Sequence, residues 1–451
     1  MFIFISAFFI FAPILIFYSS GYRYDIKRHK VLKTGTLYLE AKDLKKANLY
    51  LNDEFNEEPF SEKKFIYNLL PGEYTIKLEK EGYHNWQKKI TIDSGLTTFV
   101  KDIVLFEKNI PLQIVDGQVN NFSLSPDQQK IVYLIIAGSQ QELYLYDLNT
   151  SEKKQLYRIP SLEKINLTWS ASSKKILLNS SKENLVLDIQ NIGQIQILKN
   201  IIKFLPANVI WDISSDNLLY AINDNNIYKI DLLAKNVQKI FTADNIKINN
   251  SFFIEANDLF YIQESENRNI LSKYNFNYRT NKEILDLNIS KNYIFITSAN
   301  NFIGLVDTDQ QKLYLIKKVN TEFEINISSK EDIKEFDAKN AVWDIKEKQI
   351  LIYNDFEVYL YNTDSSEKTF INRYGQIIKK AQWYPDLAHL VILFEDSLQI
   401  IDVNIEETTR HVTELVKFDQ LGEFYLNNNG QNLFFNGQIG KQQGLYQLKL
   451  R

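Results

Sequence analysis

At 451 residues the chain is too long for one ordinary core, so two or more domains are expected. A formal net charge of −4 leaves no basic excess for a nucleic-acid partner, and the absence of cysteine excludes disulfides, thiolate chemistry and zinc–thiolate sites. With 29 Phe and 26 Tyr, and Ile, Leu and Val abundant, the composition favours strands, because branched and aromatic side chains suit a pleated, half-buried surface.

The first element is residues 2–18, FIFISAFFIFAPILIFY, without one charged side chain. About 17 to 20 apolar residues can span a bilayer as a helix, and such helices tolerate a proline like Pro13. Tyr18 and Tyr22 flank its end, as interfacial aromatics do. Residues 1–20 are therefore read as a transmembrane anchor with the lipid bilayer as partner. A cleavable signal peptide, cut near Ser19-Ser20-Gly21, is the alternative; the run is long for a signal core and no basic segment precedes it. Residues 21–32 form a linker. Its Arg23, Lys27, Arg28 and Lys30, with Lys33 beyond, would hold the large domains in the cytoplasm by the positive-inside tendency.

Residues 33–106 read as a small β-sandwich. Thr36 to Glu40 alternates, Ala47 to Leu51 ends at the turn pair Asn52-Asp53, and Phe65 to Tyr67 is a short third strand. Leu70-Pro71-Gly72-Glu73 turns into Tyr74 to Leu78, and Glu81-Gly82 turns into Tyr83 to Trp86. Lys88 to Ile92 and Thr97 to Phe106 bring the count to about seven strands in roughly 70 residues, a sandwich number. Trp86 and Tyr83 are expected in the core, with an exposed sugar-stacking platform as the alternative role.

Leu70-Pro71-Gly72-Glu73-Tyr74, followed by Gly82-Tyr83 and Trp86, resembles the PEGA domain, a small β-sandwich of bacterial surface and envelope proteins. Tyr50 to Asp53 and Pro59-Phe60 stand in the family's order, while Lys45-Lys46-Ala47-Asn48 replaces its four-letter motif. Gly21-Tyr22-Arg23-Tyr24-Asp25 also looks like multi-domain members. The resemblance covers about a sixth of the chain and implies a binding or structural module without catalytic residues. It implies a single-pass membrane protein with its C-terminal domains outside the cytoplasm, against the charge of the linker.

From residue 107 to 451 a repeat takes over. Its first unit is Phe122 to Asp127, Lys130 to Leu134 and Leu143 to Leu148. The second is Leu167 to Ser170, Lys175 to Leu178 and Leu185 to Asp188; the third is Val209 to Ile213, Asn217 to Tyr220 and Ile227 to Asp231. Later third strands align at Asn275, Asp307, Asn362, Asp402 and Gln447, and Trp169, Trp211, Trp343 and Trp383 mark first strands. A mean period of about 43 residues is that of a four-stranded propeller blade. Eight blades are favoured, and seven stay open. Lys154 to Arg158 is a fourth strand, yet only four residues follow Gln447. Asn109 to Val115 is a strand with no unit of its own, so it is expected to pair with 444–450 and close the ring, leaving no open edge. Ser123-Leu-Ser-Pro-Asp-Gln128 and Tyr146-Asp147-Leu148 resemble turns of the TolB-like and WD40-like propeller families, with Gln128 where glycine is usual.

No phosphate-cradling glycine loop and no Gly-x-Ser-x-Gly elbow is present. His29, His84, His389 and His411 lie far apart in sequence and read as surface or core residues. Asp147, Asp188, Asp231, Asp307 and Asp402 recur in one slot, which a turn-capping role explains. Asp307-Thr308-Asp309 begins like a calcium loop but lacks its glycine and distal glutamate. Tyr144, Tyr146, Tyr359 and Tyr361 are expected to pack between blades. No catalytic, cofactor or metal residue is assigned. The expected function is an envelope-anchored binding or scaffolding protein that contacts protein or glycan through its propeller. A carboxylate-dependent hydrolase or lyase in the channel, or a purely structural envelope protein, are the alternatives.

Overall fold

The computed structural model describes every residue except 1, 27, 57, 161, 192, 244–246, 300–301, 321–324, 328–332 and 404–408. The apolar opening segment is helical over Phe2–Ser19. It does not support a single-pass membrane protein: among the described residues, no helix is long and apolar enough to cross a membrane. Pro13 lies inside this 18-residue helix. The membrane location, the bilayer partner and the orientation argument fall with this correction.

A hairpin, Tyr22–Asp25 with Lys30–Lys33, leads into two sheets that face each other. One orders Lys63–Leu69, Gly35–Glu40 and Thr97–Val100; the other orders Glu54–Phe55, Asn48–Leu51, Gly72–Glu79 and Trp86–Ile92. Alternation decides which side chains turn inward: Leu37, Leu39, Ile76, Leu78, Ile90 and Ile92 share one buried cluster with Phe60 and Trp86. Tyr83 packs against it. The aromatic pair thus fills the core and forms no sugar platform.

Beyond residue 107 the described strands form consecutive antiparallel sheets. We letter them by residue span: A 119–159, B 166–197, C 208–242, D 247–287, E 293–337, F 340–373, G 380–417 and H 420–449. Within each, chain order is spatial order, except that E carries an extra pairing of Ile325–Ile327 with Lys312–Asn320, and H takes its fourth strand from Leu112–Asp116. That last pairing is the one expected: Leu112 faces Gln447 and Asp116 faces Gly444.

Each sheet buries both faces, which is why second strands such as Ile131 to Leu134 are apolar without alternation. Val132 and Leu143 of A meet Leu167 and Ile176 of B. Leu177 of B meets Leu219 of C, and Ile227 of C meets Leu259 of D. Leu271 of D meets Ile303 of E, Leu313 of E meets Ile350 of F, and Leu360 of F meets Leu390 of G. Leu398 of G meets Phe424 of H, and Phe434 and Leu445 of H return to Phe122 and Ile131 of A. Each such side chain contributes about 1.5–3 kcal/mol relative to leaving it in water. Sheets packed face to face round a closed ring make a β-propeller. Tyr146 and Tyr361 are buried between sheets as expected, with Tyr144 and Tyr359 half-buried beside them.

Trp169, Trp211, Trp343 and Trp383 do end first strands. Asp307 does not end a third strand. It closes the second strand of E, Phe302–Asp307, and the third is Lys312–Asn320. The error has a physical source: Asp307 Oδ1 accepts the amides of Asp309 and Gln310, the same cap that Asp147 gives Asn149 and Thr150 at a third-to-fourth turn. Local turn chemistry does not record which hairpin it serves.

Candidate functional site

In an antiparallel meander, the first-to-second and third-to-fourth turns lie at one end of the sheet. Round the ring these turns therefore share one face. Ser125 and Ser170 accept the amides of Lys130 and Lys175, and Asp344 Oδ1 accepts those of Lys348 and Gln349. At the third-to-fourth turns Asp147, Asp188, Asp231, Asn275 and Asn362 accept amides two and three residues on. The residues two and three beyond Asp402, which it would cap, lie outside the described residues; its described partners are the His411 amide at 3.1 Å and the Lys88 ammonium, 2.7 Å from Oδ2.

That ion pair belongs to a junction in which the sandwich covers sheets G and H. Lys88 and Asp402 are both buried. The Trp86 and His411 rings lie 5.8 Å apart, and Phe106 stands edge-on to Tyr384 at 5.4 Å and His389 at 5.7 Å. His411 Nδ1 is 3.1 Å from the Gln87 carbonyl and 3.4 Å from the Gln87 amide nitrogen, and Nε2 is 2.9 Å from Thr413 Oγ1. Burial holds His411 below the usual histidine range, against the pull of Asp402. The Glu107 amide donates to Leu450 O at 2.9 Å, so the connection into the closing strand is itself fastened to sheet H. Two of the four scattered histidines thus meet here, with His389 held 2.8 Å from Asp386. His84 is half-buried nearby, and His29 lies exposed beside Tyr24. Among the described residues, no group of three or more His, Asp or Glu is placed to hold a metal ion.

The other side of the same face is open, and its turns present apolar side chains. Ile213 is 75% exposed and Ile345 86%, each following the aspartate of a first-to-second turn; Leu233 and Tyr278 project from third-to-fourth turns. Two cavities run inward from here along the first strands. One, of about 630 Å³, is lined by Trp211, Ile213, Phe253, Ile254, Ile294 and Phe295 among others. The second, of about 500 Å³, shares Ile294 and Phe295 and adds Ile296, Trp343 and Ile345.

Carboxylates in these walls are engaged by the fold. Asp212 Oδ1 accepts the Ser214 amide and hydroxyl, and Oδ2 accepts the Tyr220 hydroxyl at 3.0 Å. Burial first, then that bond, pushes Tyr220 up to about 12. Outside these walls, at the second-to-third turn of E, Asp307 and Asp309 accept hydrogen bonds from Ser290, and Asp309 from the Asn292 side chain and two amides. Sequence reasoning missed Ile213 and Ile345. Their signal was a lone apolar residue in an otherwise polar turn, Asp212-Ile213-Ser214-Ser215 and Asp344-Ile345-Lys346-Glu347.

The molecule is a β-propeller carrying a small β-sandwich. Residues 65–105 match the PEGA domain family. No curated protein sequence matches the chain. Among solved structures, the Dos1 propeller superposes with a TM-score of 0.52 at 11% identity, over 76% of this chain and 95% of that one. The Cps50 (Swd1) β-propeller domain of Myceliophteria thermophila gives 0.41 at 11% identity, over 68% and 99%. Oligogalacturonate lyase in complex with manganese gives 0.44 at 11% identity, over 77% and 96%. At such identity the first of these likenesses shows the fold alone.

Proposed function

We propose that the protein is a non-catalytic scaffold whose eight-bladed propeller binds a partner protein through the open side of its turn face. The observation that carries this is the group of outward apolar side chains there, Ile213, Leu233, Tyr278 and Ile345, above two apolar cavities. Exposed apolar clusters rimmed by polar turns mark interaction sites. The run of sheets A to H supports the blade count, and the sandwich, fastened across G and H, leaves sheets C to F free to engage. The absence of catalysis is supported by the amide and hydroxyl partners of Asp212 and Asp344.

The test compares proteins retained from the source cells by the immobilised full chain with those retained by an Ile213→Asp, Ile345→Asp variant. Both side chains point to water, so the fold is expected to survive. The reading expects a defined partner to be lost at least tenfold. Retention of the same set by both forms overturns it, as does turnover of a polysaccharide by the purified wild type.

A further inference from the structure

The outer face of the sandwich carries a second feature. In the sheet ordered Lys63–Leu69, Gly35–Glu40, Thr97–Val100, the residues between core positions point to solvent. Tyr38 pairs with Phe65 on one side and Phe99 on the other, so the three rings form a row across the strands. Centroids are 4.6 Å apart for Tyr38 and Phe65 and 5.6 Å for Tyr38 and Phe99, and Tyr67 stacks on Phe65 at 5.8 Å. Phe65 is 49% exposed, Tyr67 63% and Phe99 46%. Junction contacts come from the opposite sheet, through Trp86 to Lys89, which leaves this face uncovered by the propeller.

Cross-strand aromatic pairing alone stabilises a sheet, but it does not call for four rings on a wetted face. The rim narrows what the row can take. Glu40 and Lys63 pair at 3.1 Å, and Tyr38 donates its hydroxyl to Glu40. Lys101 sits 5.0 Å from the Phe99 ring. Glu40 is thus paired with Lys63 while Lys101 lies over a ring, so the rim offers no cluster of like charges to draw a nucleic acid or a strongly charged protein. A flat ligand with an apolar face and a hydroxyl edge meets both parts of the surface: its C–H bonds on the rings, its hydroxyls on Glu40, Lys63 and the Tyr38 oxygen. We propose that this face is a binding platform for a neutral glycan chain lying across the three strands along Phe65, Tyr38 and Phe99.

Affinity electrophoresis and tyrosine fluorescence of the full chain against cellohexaose, chitohexaose and maltohexaose, with a galacturonate hexamer as the acidic comparator, test this. At least one neutral hexaose is expected to bind. A Phe65→Ser, Tyr67→Ser variant is expected to bind it at least tenfold more weakly, while Tyr38→Phe, which keeps the ring, loses less. Circular dichroism checks the fold, and Tyr67→Ser alone serves if the double variant unfolds. The proposal is overturned if no neutral hexaose binds at millimolar concentration. It also fails if the acidic hexamer alone binds, or if the ring variants bind as tightly as the wild type.

Discussion

At the scale of single residues, the four first-strand tryptophans share a position but not a bond. Trp169, Trp211 and Trp383 each donate Nε1–H to a carbonyl of the preceding first strand, at 3.2, 3.2 and 3.0 Å. Among the described residues, Trp343 Nε1 is buried without a partner. The strand before it, Tyr293–Ala299, breaks register between Ile296 and Ala299, and the indole leans on Phe302 instead. Trp383→Phe removes the bond to the Val342 carbonyl, whereas Trp343→Phe removes none. Urea unfolding should therefore find Trp383→Phe costlier by about 0.5–1.5 kcal/mol. Equal costs would mean that the girdle of indole bonds contributes nothing.

At the scale of elements, the closing strand is the piece on which the ring depends. Val115 is buried between Leu445 of its own sheet and the side chains of sheet A. Val115→Asp places a carboxylate among them. It should release Leu112–Asp116, bare the edge of Gln442–Lys449 and promote self-association through that edge. Light scattering and limited proteolysis near residue 112 would show it; an unchanged monomer resistant to proteolysis there would refute it. This strand was legible in the sequence because a surplus strand before the first unit matched a deficit after the last. The Trp-marked first strands were legible for a similar reason, since position recurs with the period. Asp307 was not, because a cap senses only the next three residues. The pairing of Asp402 with Lys88 was not either: the two lie 314 residues apart, and nothing in the spacing relates them. The opening helix read as a span from its apolar composition alone, and among the described residues no helix is long and apolar enough to cross a membrane.

At the scale of the whole molecule, two domains meet through a junction that contains titratable groups. His411 faces Asp402, the Gln87 carbonyl, His389 and Lys88, and burial is the main cause of its lowered pKa. His84 is lowered the same way, by burial and then Lys108. For a base whose folded pKa is depressed, the unfolded chain binds more protons just below the ordinary value. Stability is thus complete above about pH 6.5 and declines as pH falls through that value. Hydrogen exchange at residues 84–89 and 409–413 should quicken between pH 7 and 5.5, while 390–393, inside sheet G, stays protected. His411→Gln should flatten the response. Exchange at the junction that does not change with pH would show that its histidines are not coupled to docking.

The seam of the ring also has a history in time. Gln113 and Gln443, joined at that seam, stand 330 residues apart. At a synthesis rate of about 5–20 residues per second, the earlier strand waits about 15 to 65 s for its partner to emerge. Throughout that interval sheet A has no neighbour on one flank. A nascent chain must therefore hold an unsealed arc with two sticky ends, and mispairing between neighbouring nascent chains is the hazard that its own sandwich, already folded beside the waiting strand, is placed to reduce.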